Sequence, residues 1–74
     1  MSNKLPTVKE RFLQYLDLQG FPKKESCEKI GMTYGNFTGN AKMTPLNSTA
    51  IGNILLSFPD LSADWLLTGR GSML

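Results

Sequence analysis

Apolar residues recur along this chain at the three- and four-residue spacing of helices, punctuated at short intervals by glycine and proline. Val8, Phe12, Tyr15 and Leu16 share one face. Thr7, with Glu10 three residues on, forms a capping box ahead of them, and Gly20 supplies a left-handed stop, which predicts a first helix over about residues 8–19. Pro22 suits the opening turn of a second helix, where its missing N–H costs nothing. That helix is short and polar (Lys23, Lys24, Glu25, Ser26, Glu28, Lys29), buries Cys27 and Ile30, and ends at Gly31. Thr33 offers a fresh N-cap for a third helix from Tyr34 to about Gly39. Phe37 is the sole strong apolar anchor there, and Gly35 and Gly39 each cost about 1 kcal/mol against alanine, so packing must hold this segment. Residues 40–46, with Pro45, read as a loop. Asn47 or Ser48 caps a fourth helix carrying Ala50, Ile51, Ile54, Leu55 and Phe58 on one face, which Pro59 stops. Ser62 caps a short fifth helix holding Trp65, Leu66 and Leu67; Leu61 and Leu66 stand at the positions of a hydrophobic staple, and Gly69 and Gly71 close it. No alternating strand pattern or internal repeat is visible. The expected fold is all-α, a compact four- to five-helix bundle forming a single domain over residues 1–74, with its helical core at 7–69.

Size sharpens this reading. A chain of 74 residues buries only about 60% of its unfolded surface, so the helices must pack as one unit. The single cysteine, Cys27, excludes an intrachain disulfide, and no apolar run approaches the ~20 residues needed to span a bilayer. The expectation is a soluble, cytoplasmic protein, with Cys27 a packed small residue rather than a reactive thiol. Trp65, within its apolar turn, is expected in the core. Leu13, Leu18 and Leu56 lie off the main stripes, either as core or as a patch for a partner subunit.

The net charge of +2 decides little, but its distribution is informative. Between Glu28 and Asp60 there is no carboxylate, while Lys29 and Lys42 lie inside that stretch, which is rich in Asn, Thr, Ser and Gly. A surface facing phosphates must exclude carboxylates, because like charges repel at close range. The chain has no histidine, no glycine-rich phosphate loop and no paired carboxylates at useful spacing. It therefore reads as a non-enzyme with no cofactor and no metal.

Lys23 to Asn40 carries the candidate function. Two helices joined by a tight turn need a small residue where they cross, a glycine in the turn and an apolar anchor on the second helix; Cys27, Gly31 and Phe37 fall at those three offsets. With Phe37 inward, Tyr34, Gly35, Asn36 and Thr38 tend outward. Asn can donate to and accept from adenine, and Thr can touch a thymine methyl. Tyr34 either packs on the core or offers its hydroxyl to a phosphate.

The polar second helix, the Gly31-Met32-Thr33 turn and the ending Phe58-Pro59-Asp60-Leu61-Ser62-Ala63-Asp64-Trp65-Leu66-Leu67-Thr68-Gly69-Arg70-Gly71 resemble the helix-turn-helix domain of phage repressor proteins, a lambda-repressor-like fold; the start Val8-Lys9-Glu10-Arg11-Phe12 is similar too. The resemblance implies a domain that binds double-stranded operator DNA as a homodimer and regulates transcription, and so resides with the nucleoid when bound. It implies that Thr33, Tyr34, Asn36 and Thr38 lie at bases, and that Lys23, Lys24, Lys42, Asn47 and Ser48 hold phosphates. The rival expectation is a protein-interaction module on the same fold. A continuous basic rim of Lys23, Lys24, Lys29 and Lys42 would favour DNA; an apolar patch of Tyr34, Met43 and Leu46 would favour protein.

Overall fold

The computed structural model describes residues 6–74. In chain order the elements are α1 (Val8–Gln19), α2 (Lys23–Lys29), the 3₁₀ helices η1 (Tyr34–Phe37) and η2 (Gly39–Met43), α3 (Ser48–Ser57) and α4 (Ala63–Thr68), with no strand among the described residues.

Local signals account for most of the boundaries. The Thr7 N–H donates to Glu10 Oε1 at 2.9 Å and the Glu10 N–H to Thr7 Oγ1 at 3.2 Å, so the capping box starts α1 where expected, and Gly20 at φ 74° ends it. Asn47 Oδ1 accepts from the Ala50 N–H at 2.8 Å to open α3, and Ser62 Oγ accepts from the Trp65 N–H at 3.2 Å to open α4. Pro22 stands one position earlier than expected, as the extended N-cap of α2.

The segment after α2 departs from expectation. A single helix from Tyr34 to Gly39 followed by a loop is replaced by two 3₁₀ turns, broken at Thr38, whose backbone is extended (φ −116°, ψ 163°). Gly39 at φ 55° begins the second turn. A β-branched residue followed by a glycine in the left-handed region interrupts the helical ladder, and the tighter 3₁₀ form suits such short pieces.

The core is one cluster. Phe12, Leu16, Cys27, Phe37, Ile54 and Leu66 have no exposed surface, and Tyr15, Ile30, Leu46, Ala50, Phe58 and Leu61 complete it. Phe12 sits at its centre, 5.7 Å from both the Phe37 and the Phe58 ring centroids. Leu13 and Trp65 are half-buried against the cluster, whereas Leu18 and Leu56 are exposed.

Two buried cations complete the packing. Arg11 donates from Nε to the Leu66 carbonyl at 2.7 Å and from Nη2 to the Leu67 carbonyl at 3.0 Å, so it holds the end of α4 against α1. Lys9 does the same for the 3₁₀ segment, as described below. Neither faces a carboxylate; backbone carbonyls satisfy them, and no buried side-chain polar atom among the described residues lacks a partner. No helix of the described residues is long and apolar enough to cross a membrane.

Candidate nucleic-acid interface

The turn between α2 and η1 is set by Gly31. Its N–H donates to the Glu28 carbonyl at 3.0 Å and the Met32 N–H to the Cys27 carbonyl at 2.9 Å, the paired bonds of a Schellman motif, which needs a left-handed residue between them. Gly31 takes φ 82° and fills that need. The chain then rises through Thr33 into η1. Beneath it Phe37 is fully buried against Phe12, while Thr33, Tyr34, Asn36 and Thr38 are exposed on the outer side. The three structural residues expected at this turn, Cys27, Gly31 and Phe37, therefore occupy the expected positions. Burial and the neighbouring Glu28 push the Cys27 thiol up to about 11, which keeps it protonated and makes it a packing residue.

A 3₁₀ segment with two glycines has little regular backbone to hold it, and Lys9 supplies the tether. Its ammonium, 4% exposed, donates to the Asn36 carbonyl at 2.8 Å, the Ala41 carbonyl at 3.0 Å and Thr44 Oγ1 at 2.8 Å. It also lies 5.6 Å from the Phe37 ring centroid. Thr7 Oγ1 adds a bond to the Lys42 carbonyl at 2.7 Å. The start of α1 thus clamps both 3₁₀ turns.

Asn36 has a local duty that was not expected. Its Oδ1 accepts from the Thr33 N–H at 3.3 Å and from Thr33 Oγ1 at 2.8 Å, closing the turn that opens η1. An exposed asparagine here thus has a reason in the fold itself. The Thr33-x-x-Asn36 spacing is the signal that reveals it, with asparagine in the place of the usual Glu or Gln.

Beside η1 runs a groove of about 310 Å³ lined by Ile30, Gly31, Met32, Asn36, Asn47, Thr49, Ala50 and Asn53. Its wall contains no charged side chain. It brings Asn36 and Asn47, drawn from separate elements, to one surface, with Ser48 exposed at the start of α3. Asn53 Nδ2 donates to the Ile30 carbonyl at 3.3 Å and so joins α3 to the turn.

The expected basic rim is only partly assembled. Lys24 is exposed and Lys42 half-buried. Lys23 instead lies 3.4 Å from Asp17 across the α1–α2 junction, and Lys29 turns away to sit 5.2 Å from the Phe58 ring centroid. The competing apolar patch is incomplete as well, because Leu46 is buried in the core, which leaves half-exposed Tyr34 and half-buried Met43. No group of three or more metal-ligating side chains occurs among the described residues.

Comparison with protein-family models, curated proteins and solved structures finds no match for this chain.

Proposed function

We propose that this chain is a sequence-specific binder of double-stranded DNA, a helix-turn-helix domain of the phage-repressor kind acting as a transcriptional regulator. The observation that carries the proposal is the η1 segment. Its outer side presents uncharged polar groups only, its inner side is pinned by Phe37 and Lys9, and it continues into a charge-free groove ending at Asn47. Such a ridge offers donors and acceptors to base edges without repelling phosphates. Thr33, Tyr34, Asn36 and Thr38 read bases in this proposal. Lys24, Lys42, Asn47 and Ser48 hold the backbone, and Lys23 joins them by exchanging its exposed partner Asp17 for a phosphate, a small loss given how little such surface pairs contribute. A homodimer on a two-fold operator follows from the same proposal.

Selection of bound sites from random duplexes at low salt tests it. Enrichment of one sequence, with affinity falling steeply as salt rises, supports operator recognition; absence of any enriched sequence removes it. The second reading, a protein-interaction module, is favoured by the withdrawal of Lys23 and Lys29 from the rim. Capture of a protein partner by a surface containing Tyr34 and Met43, with no enriched duplex, would establish it.

A further inference from the structure

Resting on the operator-recognition reading above, we infer that Asn36 reads its base solely as a hydrogen-bond donor, so the edge beneath it is an acceptor: a purine N7, a guanine O6 or a thymine O4.

The argument starts from the Thr33 N–H. A backbone N–H can only donate, so the atom of Asn36 that faces it at 3.3 Å is the carbonyl oxygen and not the amino group. The Thr33 hydroxyl lies 2.8 Å from the same oxygen and gives it a second hydrogen. An amide oxygen has two acceptor sites, and both are taken. The amide is held with Oδ1 turned toward Thr33, which leaves Nδ2 as its free end, and the residue is exposed. Its carbonyl is engaged too, accepting from Lys9 at 2.8 Å, which fixes the backbone from which the side chain projects.

The usual asparagine–adenine pair needs the opposite: one acceptor for the adenine N6 amino group and one donor for N7. To form it, Oδ1 would have to leave Thr33 and open the first turn of η1. A donor-only contact keeps the turn closed. Thr33, its hydroxyl hydrogen spent on Asn36, is left with lone pairs and complements Asn36 as an acceptor.

The test uses the full chain and duplexes selected from a random library. The Asn36→Ala variant first identifies the base pair whose preference relaxes. At that pair, acceptor-weakening analogues (7-deazapurine, or 4-thiothymine in the facing strand) are compared with 2-aminopurine, which lacks the 6-amino group of adenine and keeps N7. The inference expects an acceptor-weakening analogue to cost roughly 2- to 10-fold in affinity, the weight of one hydrogen bond, and 2-aminopurine to cost nothing measurable. A loss with 2-aminopurine equal to that with 7-deazaadenine overturns it, as does indifference to every acceptor-weakening analogue, or an Asn36→Ala variant that relaxes no position. Because these changes lie in the DNA, a variant that fails to fold does not decide the outcome. If the library yields no enriched sequence, the operator-recognition reading itself falls, which is a result distinct from the others.

Discussion

The ammonium of Lys9 lies 5.6 Å from the centroid of the Phe37 ring, and through this pair α1 holds the segment that carries every expected base contact. Phe37 brings burial, and Lys9 brings three hydrogen bonds to atoms of Asn36, Ala41 and Thr44. The consequence is that a residue far from the outer surface sets the shape of that surface.

Replacing Lys9 with methionine keeps most of the side-chain volume and deletes the donors. The orphaned carbonyls cost about 1–3 kcal/mol. The loss should concentrate in the 3₁₀ turns, so amide exchange over residues 36–44 should quicken more than in α3. Unchanged exchange in that segment would refute the tether.

Arg11 makes the analogous bond pair to Leu66 and Leu67, and its planar fork matches two carbonyls that a single ammonium cannot reach together. Arg11→Lys should lower stability by about 1–3 kcal/mol, equivalent to a melting-temperature drop of several degrees in a domain of this size. A thermal melt superimposable on the parent curve would show that the fork contributes nothing.

Gly31 and Gly35 should respond in opposite directions to alanine. Gly31 is at φ 82° with nothing near its missing Cβ, so Gly31→Ala carries only the backbone penalty, about 1–2 kcal/mol. Gly35 has a negative φ, and a Cβ there meets only Thr33 Oγ1 at 3.9 Å, an ordinary contact. Gly35→Ala should therefore be neutral or stabilise by up to about 1 kcal/mol. Urea unfolding of both variants checks this, and equal destabilisation would contradict the backbone assignment.

Stability should also fall in alkali. The folded chain holds the Cys27 proton to about 11, while the unfolded chain releases it near the ordinary value of 9.0. Folding therefore binds a proton in that interval, so this contribution is full below the lower value and declines as pH rises toward the upper one. The difference in urea midpoint between the parent and Cys27→Ala should narrow across this range. A difference that stays constant with pH would contradict it.

The two lysines of α2 with different surroundings should behave differently on DNA. Lys24→Ala should weaken specific and random duplexes alike and flatten the log–log salt dependence by about 0.9 for each phosphate it no longer neutralises. Lys29→Ala, which removes an ammonium directed at Phe58, should leave the salt slope unchanged. Equal slopes for the two variants would dismantle the assigned rim.

Most helix ends were legible because their signals are short-range: Thr7 with Glu10, Gly20, Asn47, Ser62 and Gly69 each act within one turn of the residue they cap. Phe37 and Cys27 were legible because an apolar residue in a polar stretch has few other places to go. Lys9 and Arg11 were not. A charged residue on an amphipathic helix reads as solvated, and their partners lie 27 to 56 residues along the chain. The division of the expected third helix was half visible: its glycines marked a weak helix, but only the tertiary clamp decides that a weak helix resolves into two 3₁₀ turns. Lys23 and Lys29 show the same limit from the surface side, since sequence proximity to the turn does not fix which way a long side chain leans.

With Lys9 and Arg11 drawn inside, the eight lysines and arginines leave six to balance the six carboxylates, so the remainder of the chain is electrically even. Attraction toward a polyanion must then arise from where the remaining charges stand and not from their surplus. Long-range steering would be feeble, and recognition would begin only once the ridge and its partner are nearly touching.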